Sequence, residues 1–166
     1  RVRITADMAH WRRATGRAWY VAAAGVDGDV VTQPPRSLRK LCDLEGTIRH
    51  ELAHLFIRRA AGRNCPRWLE EGLAHRLAGQ SVHIGAGEPG LPANQQELAA
   101  LEARLTAGAR DRPALQRDYA VCLRLVHRIT DRVGIRELIQ ALSGLRRGTA
   151  ALDLPLGEGT LRDLLF

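Results

Sequence analysis

The chain has 166 residues, enough for one domain with a sizeable core, and its 45% hydrophobic content with only 4% aromatics predicts a globular protein packed on aliphatic side chains. No run of about 18 apolar residues occurs, so no membrane-spanning helix is expected. The net charge of +7 comes almost wholly from arginine, Lys40 being the only lysine; the arginines are scattered and no aromatic residues interleave with them, so no nucleic-acid partner is expected.

In chain order, the first third reads as β. Residues 1–5 alternate polar and apolar, residues 19–24 form a second strand candidate, and Asp27-Gly28 supplies a hairpin turn into a return strand over residues 29–33. Pro34-Pro35 closes the β-rich part, residues 1–35. From residue 37 the pattern is helical. Ser37 is a candidate N-cap, and Leu44, Ile48, Leu52 and Leu55 recur at helical spacing up to Arg59, with Gly62 as the stop. A second helix starts at Pro66, carries Leu69, Leu73 and Leu77 as its core stripe and ends at Gly79. Residues 80–93 read as a Gly- and Pro-rich loop. Helices then follow from Asn94 to about Ala107, from about Pro113 to Val133, and from Ile135 to Leu145, with a short amphipathic turn over residues 159–166. Strands first and helices after predict an α+β fold: a small antiparallel or mixed N-terminal sheet, then a mostly helical part over residues 37–166, in one domain spanning residues 1–166. The chain opens on Arg1 rather than Met, which leaves room for a longer parent protein.

The segment with the most chemistry is His50-Glu51-Leu52-Ala53-His54. Residues four apart on a helix lie almost on one line, so both imidazoles can grip one cation. Glu51, turned about 100° from His50, flanks that cation as a candidate general base, and the nitrogen donors suit zinc. The apolar stripe Leu44, Ile48, Leu52 and Leu55 is expected to anchor the helix by its opposite face. A catalytic zinc needs a third protein ligand and an open position. Glu70, Glu71, His75 and Cys65 are the candidates, and helical spacing does not choose between the two glutamates. The metzincin continuation fails, because Ile57 and Ala60 stand where it requires Gly and His. Cys42, Cys65 and Cys122 show no CxxC spacing, so a cysteine-built zinc site is not expected; a Cys42–Cys65 bridge would require export, and buried free thiols are the alternative.

HELAH followed by Trp68-Leu69-Glu70-Glu71-Gly72-Leu73-Ala74 resembles the gluzincin metallopeptidases, in particular the small peptidase-MA-like domains related to the catalytic domain of aminopeptidases that carry HExxH and a downstream WLNEGFA-type segment. The likeness runs over roughly residues 18–145, through the turn at residues 24–28 and the helix containing Arg117-Asp118-Tyr119-Ala120. It implies a zincin-like fold and one zinc ion held by His50, His54 and Glu71, with Glu70 in the neighbouring non-ligand position. Its further implications are a peptide or protein substrate and an extracytoplasmic location. The linker between His54 and Glu71, sixteen residues, is shorter than in the large aminopeptidases, and their exopeptidase recognition motif is missing, so aminopeptidase specificity is not inherited.

The expected activity is therefore that of a zinc metallopeptidase in which Glu51 is the base and Tyr119 stabilises the oxyanion, with His75 and His127 as competing donors. His75, four residues after Glu71, could instead orient the ligand carboxylate. His10 and His83 carry no spacing signal and read as surface residues. Residues 19–25 or 29–33 could offer a sheet edge to an extended peptide. Two rival readings remain: a catalytically idle zinc-bearing binding or scaffold domain, and a basic nucleic-acid-binding protein with incidental histidines.

Overall fold

The computed structural model describes residues 1–17, 21–41, 43–82, 89–107 and 111–166, the side chains at 39–41 excepted. Its architecture is α+β, a small three-stranded N-terminal sheet followed by a mostly helical remainder. Strands β1 (Val2–Ile4), β2 (Ala23–Val26) and β3 (Asp29–Thr32) form a mixed sheet in the order β1-β3-β2. β3 is central, parallel to β1 and antiparallel to β2. The β2–β3 hairpin turns where its sequence demands: Asp27 and Gly28 both adopt positive φ, 50° and 81°, as a tight two-residue loop needs. The strand candidate beginning at residue 19 is observed from Ala23; residues 18–20 lie outside the described residues.

The N-terminal third is not all β. Helix α1 (Met8–Thr15) stands between β1 and β2, capped by Asp7, whose side chain accepts from the His10 N–H. α1 binds the sheet through Trp11, fully buried against Ala24 and Val31. A single buried anchor leaves little periodicity in an eight-residue helix, which is why sequence pattern passes it over.

The predicted helix from Ser37 is two helices, α2 (Pro35–Leu41) and α3 (Leu44–Ala61). Ser37 lies inside α2. The cap of α3 is Asp43, whose carboxylate accepts from the backbone N–H groups of Glu45 and Gly46 at 3.1 and 3.0 Å. The orientation of α3 also corrects the expected stripe in part: Ile48 and Leu55 are half-buried, but the other two positions are not. Leu44 and Leu52 are 42% and 49% exposed, whereas Ala53, Ile57 and Ala61 are buried together with His54. The histidine face is turned inward, where α4 (Arg67–Ala78) packs against α3. On α4, Leu69 and Leu73 are core but Leu77 is 39% exposed.

Helices α5 (Gln95–Ala107), α6 (Arg112–Val133) and α7 (Ile135–Arg146) complete the core, a single buried cluster that includes Trp68, Leu69 and Leu73 of α4, Leu125, Val126 and Ile129 of α6 and Leu138 and Leu142 of α7. Asn94 caps α5 as expected, accepting from the Glu97 N–H at 2.9 Å. The closest approach is at Gly72, where a β-carbon would collide with the Cys122 carbonyl and stand 2.7 Å from a Val126 methyl. Glycine there lets α4 settle on α6 and fixes the depth of Glu71. A short hairpin, β4 (Pro155–Leu156) and β5 (Gly159–Thr160), precedes the terminal helix α8 (Leu161–Leu165), so the mostly helical part also holds two short strands near its end. No helix among the described residues is long and apolar enough to cross a membrane.

Candidate metal centre

α3 and α4 bring the ligand candidates together. His50 and His54 lie one turn apart on the inward face of α3, with His50 Nε2 and His54 Nε2 3.0 Å apart. Glu71 arrives from α4, its Oε2 at 3.6 Å from His50 Nε2 and 3.5 Å from His54 Nε2. A tetrahedron built on bonds of about 2.0–2.1 Å has edges of about 3.3 Å, so this triangle suits a small divalent ion with nitrogen and oxygen donors. Glu71 Oε2 is buried and has no hydrogen-bond partner among the described residues. A buried lone pair aimed at two imidazoles is costly unless a cation or proton lies between them. His50, His54 and Glu71 thus form a group that could hold a metal ion.

The two glutamates that spacing left equivalent have different tasks. Glu70 turns away from the triangle and accepts a hydrogen bond at Oε1 from His54 Nδ1, 3.0 Å away, and from Arg58 Nε at 2.7 Å. Arg67 spans both carboxylates: Nη1 donates to Glu70 Oε2 at 3.3 Å and Nη2 to Glu71 Oε1 at 2.7 Å. Glu71 therefore has one oxygen fixed by Arg67 and the other left for the ion. Arg58 and Arg67 were missed by sequence reasoning. The available signal was spacing, since Arg58 is four residues after His54 and Arg67 four before Glu71.

The electrostatics follow from these contacts. Burial is the largest influence on Glu71 and opposes its charge, yet the approach of the His50 and His54 imidazoles, with the charges of His54 and Arg67, holds its carboxyl well below the usual range. For His54 burial again opposes charge, and pairing with Glu70 and Glu71 outweighs it, raising the imidazole to about 9. Without a metal a proton takes the cation's place. Cys65, another candidate ligand, is not part of the cluster; burial chiefly, then the charge of Glu70, pushes its thiol up to about 12. Cys65 and Cys122 are free thiols, and Cys42 lies outside the described residues.

Glu51 and Tyr119 line the same groove as the three ligand candidates, together with Arg17, Arg58 and Arg67 and residues Val21 and Ala23–Gly25 at the outer edge of β2. Burial first, and then the charge of Glu71, raises the Tyr119 phenol, so the hydroxyl keeps its proton. His75 does not orient Glu71. Its ring packs on those of His50 and Tyr119, with centroids 4.4 and 5.2 Å away, and both its nitrogens are shielded without hydrogen-bond partners among the described residues. Burial, then His50, pushes His75 down to about 3, so it is neutral. His127 lines neither this groove nor the adjoining cavities. Of the remaining histidines, His10 is exposed as expected, and His83 lies outside the described residues. Beyond the groove, past His75 and Tyr119, a polar cavity of about 550 Å³ opens between Arg49, Gln80 and Gln116. Of the two candidate sheet edges, β3 is central, and among the described residues β2 has one side unpaired.

No protein-family model, curated protein or solved structure matches this chain.

Proposed function

We propose that this chain is a zinc-dependent peptidase of the gluzincin type with a zincin-like arrangement of sheet and active helix. One observation carries the reading: three ligand atoms, from His50, His54 and Glu71, lie 3.0–3.6 Å from one another beside Glu51 in one groove. The donor set of two imidazoles and a carboxylate favours zinc over harder cations, which take mostly oxygen. Zinc bound there would polarise a scissile carbonyl and make water a stronger nucleophile at neutral pH.

The chain's own residues do the rest. Glu51 accepts a proton from the attacking water and delivers it to the leaving nitrogen. Tyr119, kept protonated by its surroundings, donates its O–H to the oxyanion that develops on the carbonyl. The free edge of β2 offers backbone groups to an extended peptide, which fixes the peptide's direction without selecting its side chains. An extracytoplasmic location belongs to the same proposal.

The test is metal analysis combined with peptide cleavage. About one zinc per chain is expected in the wild type and in Glu51→Gln, with cleavage of a mixed peptide library falling by about 10²–10⁴-fold in the variant. Equal inertness of the two proteins, both zinc-loaded, would leave a binding domain in place of an enzyme.

A further inference from the structure

Among the described residues, three guanidinium groups and two carboxylates line the groove: Arg17, Arg58 and Arg67 against Glu51 and Glu71. Arg67 is consumed, since its two terminal nitrogens are bound to Glu70 and Glu71. Arg58 is consumed at one end only. Glu70 holds its Nε at 2.7 Å, the side chain remains 45% exposed, and Nη1 stands 3.8 Å from where a β-carbon on Gly25 would be. Its terminal nitrogens thus face the edge strand. Arg17 pairs with no carboxylate among the described residues and is exposed.

The fold delivers both cations deliberately. Arg58 continues the row His50, His54 on α3, so it reaches the groove one turn beyond the second histidine. Arg17 follows Gly16, whose positive φ of 65° ends α1 and turns the chain out of the helix. Its backbone N–H is tied to Thr15 Oγ1, and Thr15 in turn to the carbonyl of Trp11, the buried anchor of α1 on the sheet. Among the described residues Arg17 and the terminal nitrogens of Arg58 pair with no carboxylate, and a divalent cation among the ligands would add to the positive field. A forked guanidinium held at one end is the group that recognises a carboxylate by paired hydrogen bonds.

We propose that Arg17 and the outer edge of Arg58 form a carboxylate-binding subsite beside the metal centre, making acidic peptides the substrate class of this groove. The inference rests on the peptidase reading and extends it to specificity. The carboxylate could come from an Asp or Glu side chain or from a peptide C-terminus.

The experiment uses the zinc-loaded full chain and fluorescent peptides matched except for Glu or Gln at each position, each with a free or an amidated C-terminus. Binding is read by anisotropy on Glu51→Gln and cleavage on the wild type. A preference of about tenfold for the carboxylate over its amide is expected in binding, falling as salt rises and collapsing towards one in Arg17→Gln, with Arg17→Lys partly restoring it. The arm that carries the preference, side chain or C-terminus, identifies the source. Equal binding of Glu and Gln peptides with either terminus overturns the proposal, as does binding of neither. So does displacement of the acidic peptide by single-stranded RNA at equal charge concentration. Glu51-dependent cleavage without charge preference would end the subsite and leave the peptidase standing. Charge-selective binding without cleavage would keep the subsite and end the peptidase.

Discussion

His54 Nδ1 and Glu70 Oε1 stand 3.0 Å apart, both buried, and this contact decides which ring nitrogen of His54 is free. With the Nδ1 proton given to Glu70, Nε2 is left to face His50 and Glu71. The ring is also locked in rotation, because Glu70 is itself held by Arg58 and Arg67.

Replacing Glu70 by Gln should therefore weaken metal binding without removing any ligand. Changes to groups that orient a ligating histidine cost about 10–100-fold in affinity. Competition with a chromophoric chelator measures it, and an unchanged zinc Kd would show that His54 is oriented by packing alone.

The proton that replaces the metal makes a second expectation. His54 titrates near 6.5 when unfolded and about 9 in the metal-free fold. A pKa raised by folding stabilises the fold fully below the unfolded value, and that contribution is lost as pH rises through the folded value. Metal-free protein should thus lose the share due to His54 between about pH 6.5 and 9. Over the same window zinc binding should release fewer protons and tighten. Denaturant unfolding of the metal-free protein against His54→Gln, at pH 6 and pH 9, isolates this share; a difference that does not shrink at pH 9 contradicts it.

The inward face of α3 can be tested by a pair of truncations. Ile57 is fully buried and Leu52 is half-exposed. Ile57→Ala should cost about 2–5 kcal/mol, and Leu52→Ala within about 0.5 kcal/mol. Thermal or denaturant unfolding separates them, and equal losses would restore the leucine stripe as the core face.

Glu102 of α5 reaches the start of α4, where Pro66 has no side chain able to cap; its two oxygens accept from the backbone N–H groups of Arg67 and Trp68 at 2.9 and 3.1 Å. Glu102→Ala should destabilise the protein by about 1–2 kcal/mol, the usual value of a helix cap. Because the capped turn carries Arg67 and Glu70, zinc affinity should fall as well. Loss of stability with unaltered zinc Kd would confine Glu102 to a structural role.

Much of the site was legible because helix geometry is local. His50 and His54 four apart specify a shared face, Asp27-Gly28 specifies a hairpin, and Asn94 specifies a cap, each from residues within one turn of one another. The choice between Glu70 and Glu71 was not local. Both sit on α4 within one turn, and only the close contact allowed by Gly72 and the packing of α4 on α3 aims one at the imidazole pair and the other at the back of His54. The burial of α3 eluded pattern for the same reason. Leucine spacing marks an apolar face, but the face that is buried is the one the neighbouring helix covers.

The sequence by itself determined the chemical set: two imidazoles on one face, an adjacent base and a carboxylate pair downstream. Spacing left the two glutamates equivalent and only the resemblance to gluzincins pointed to Glu71; tertiary structure is what puts Glu71 with the imidazoles, Glu70 behind His54 and Arg17 beside the groove. The reason is physical. Spacing along a helix fixes direction only relative to its own axis, whereas a site joining Arg17 beyond α1 with β2, α3, α4 and α6 depends on how those elements are packed.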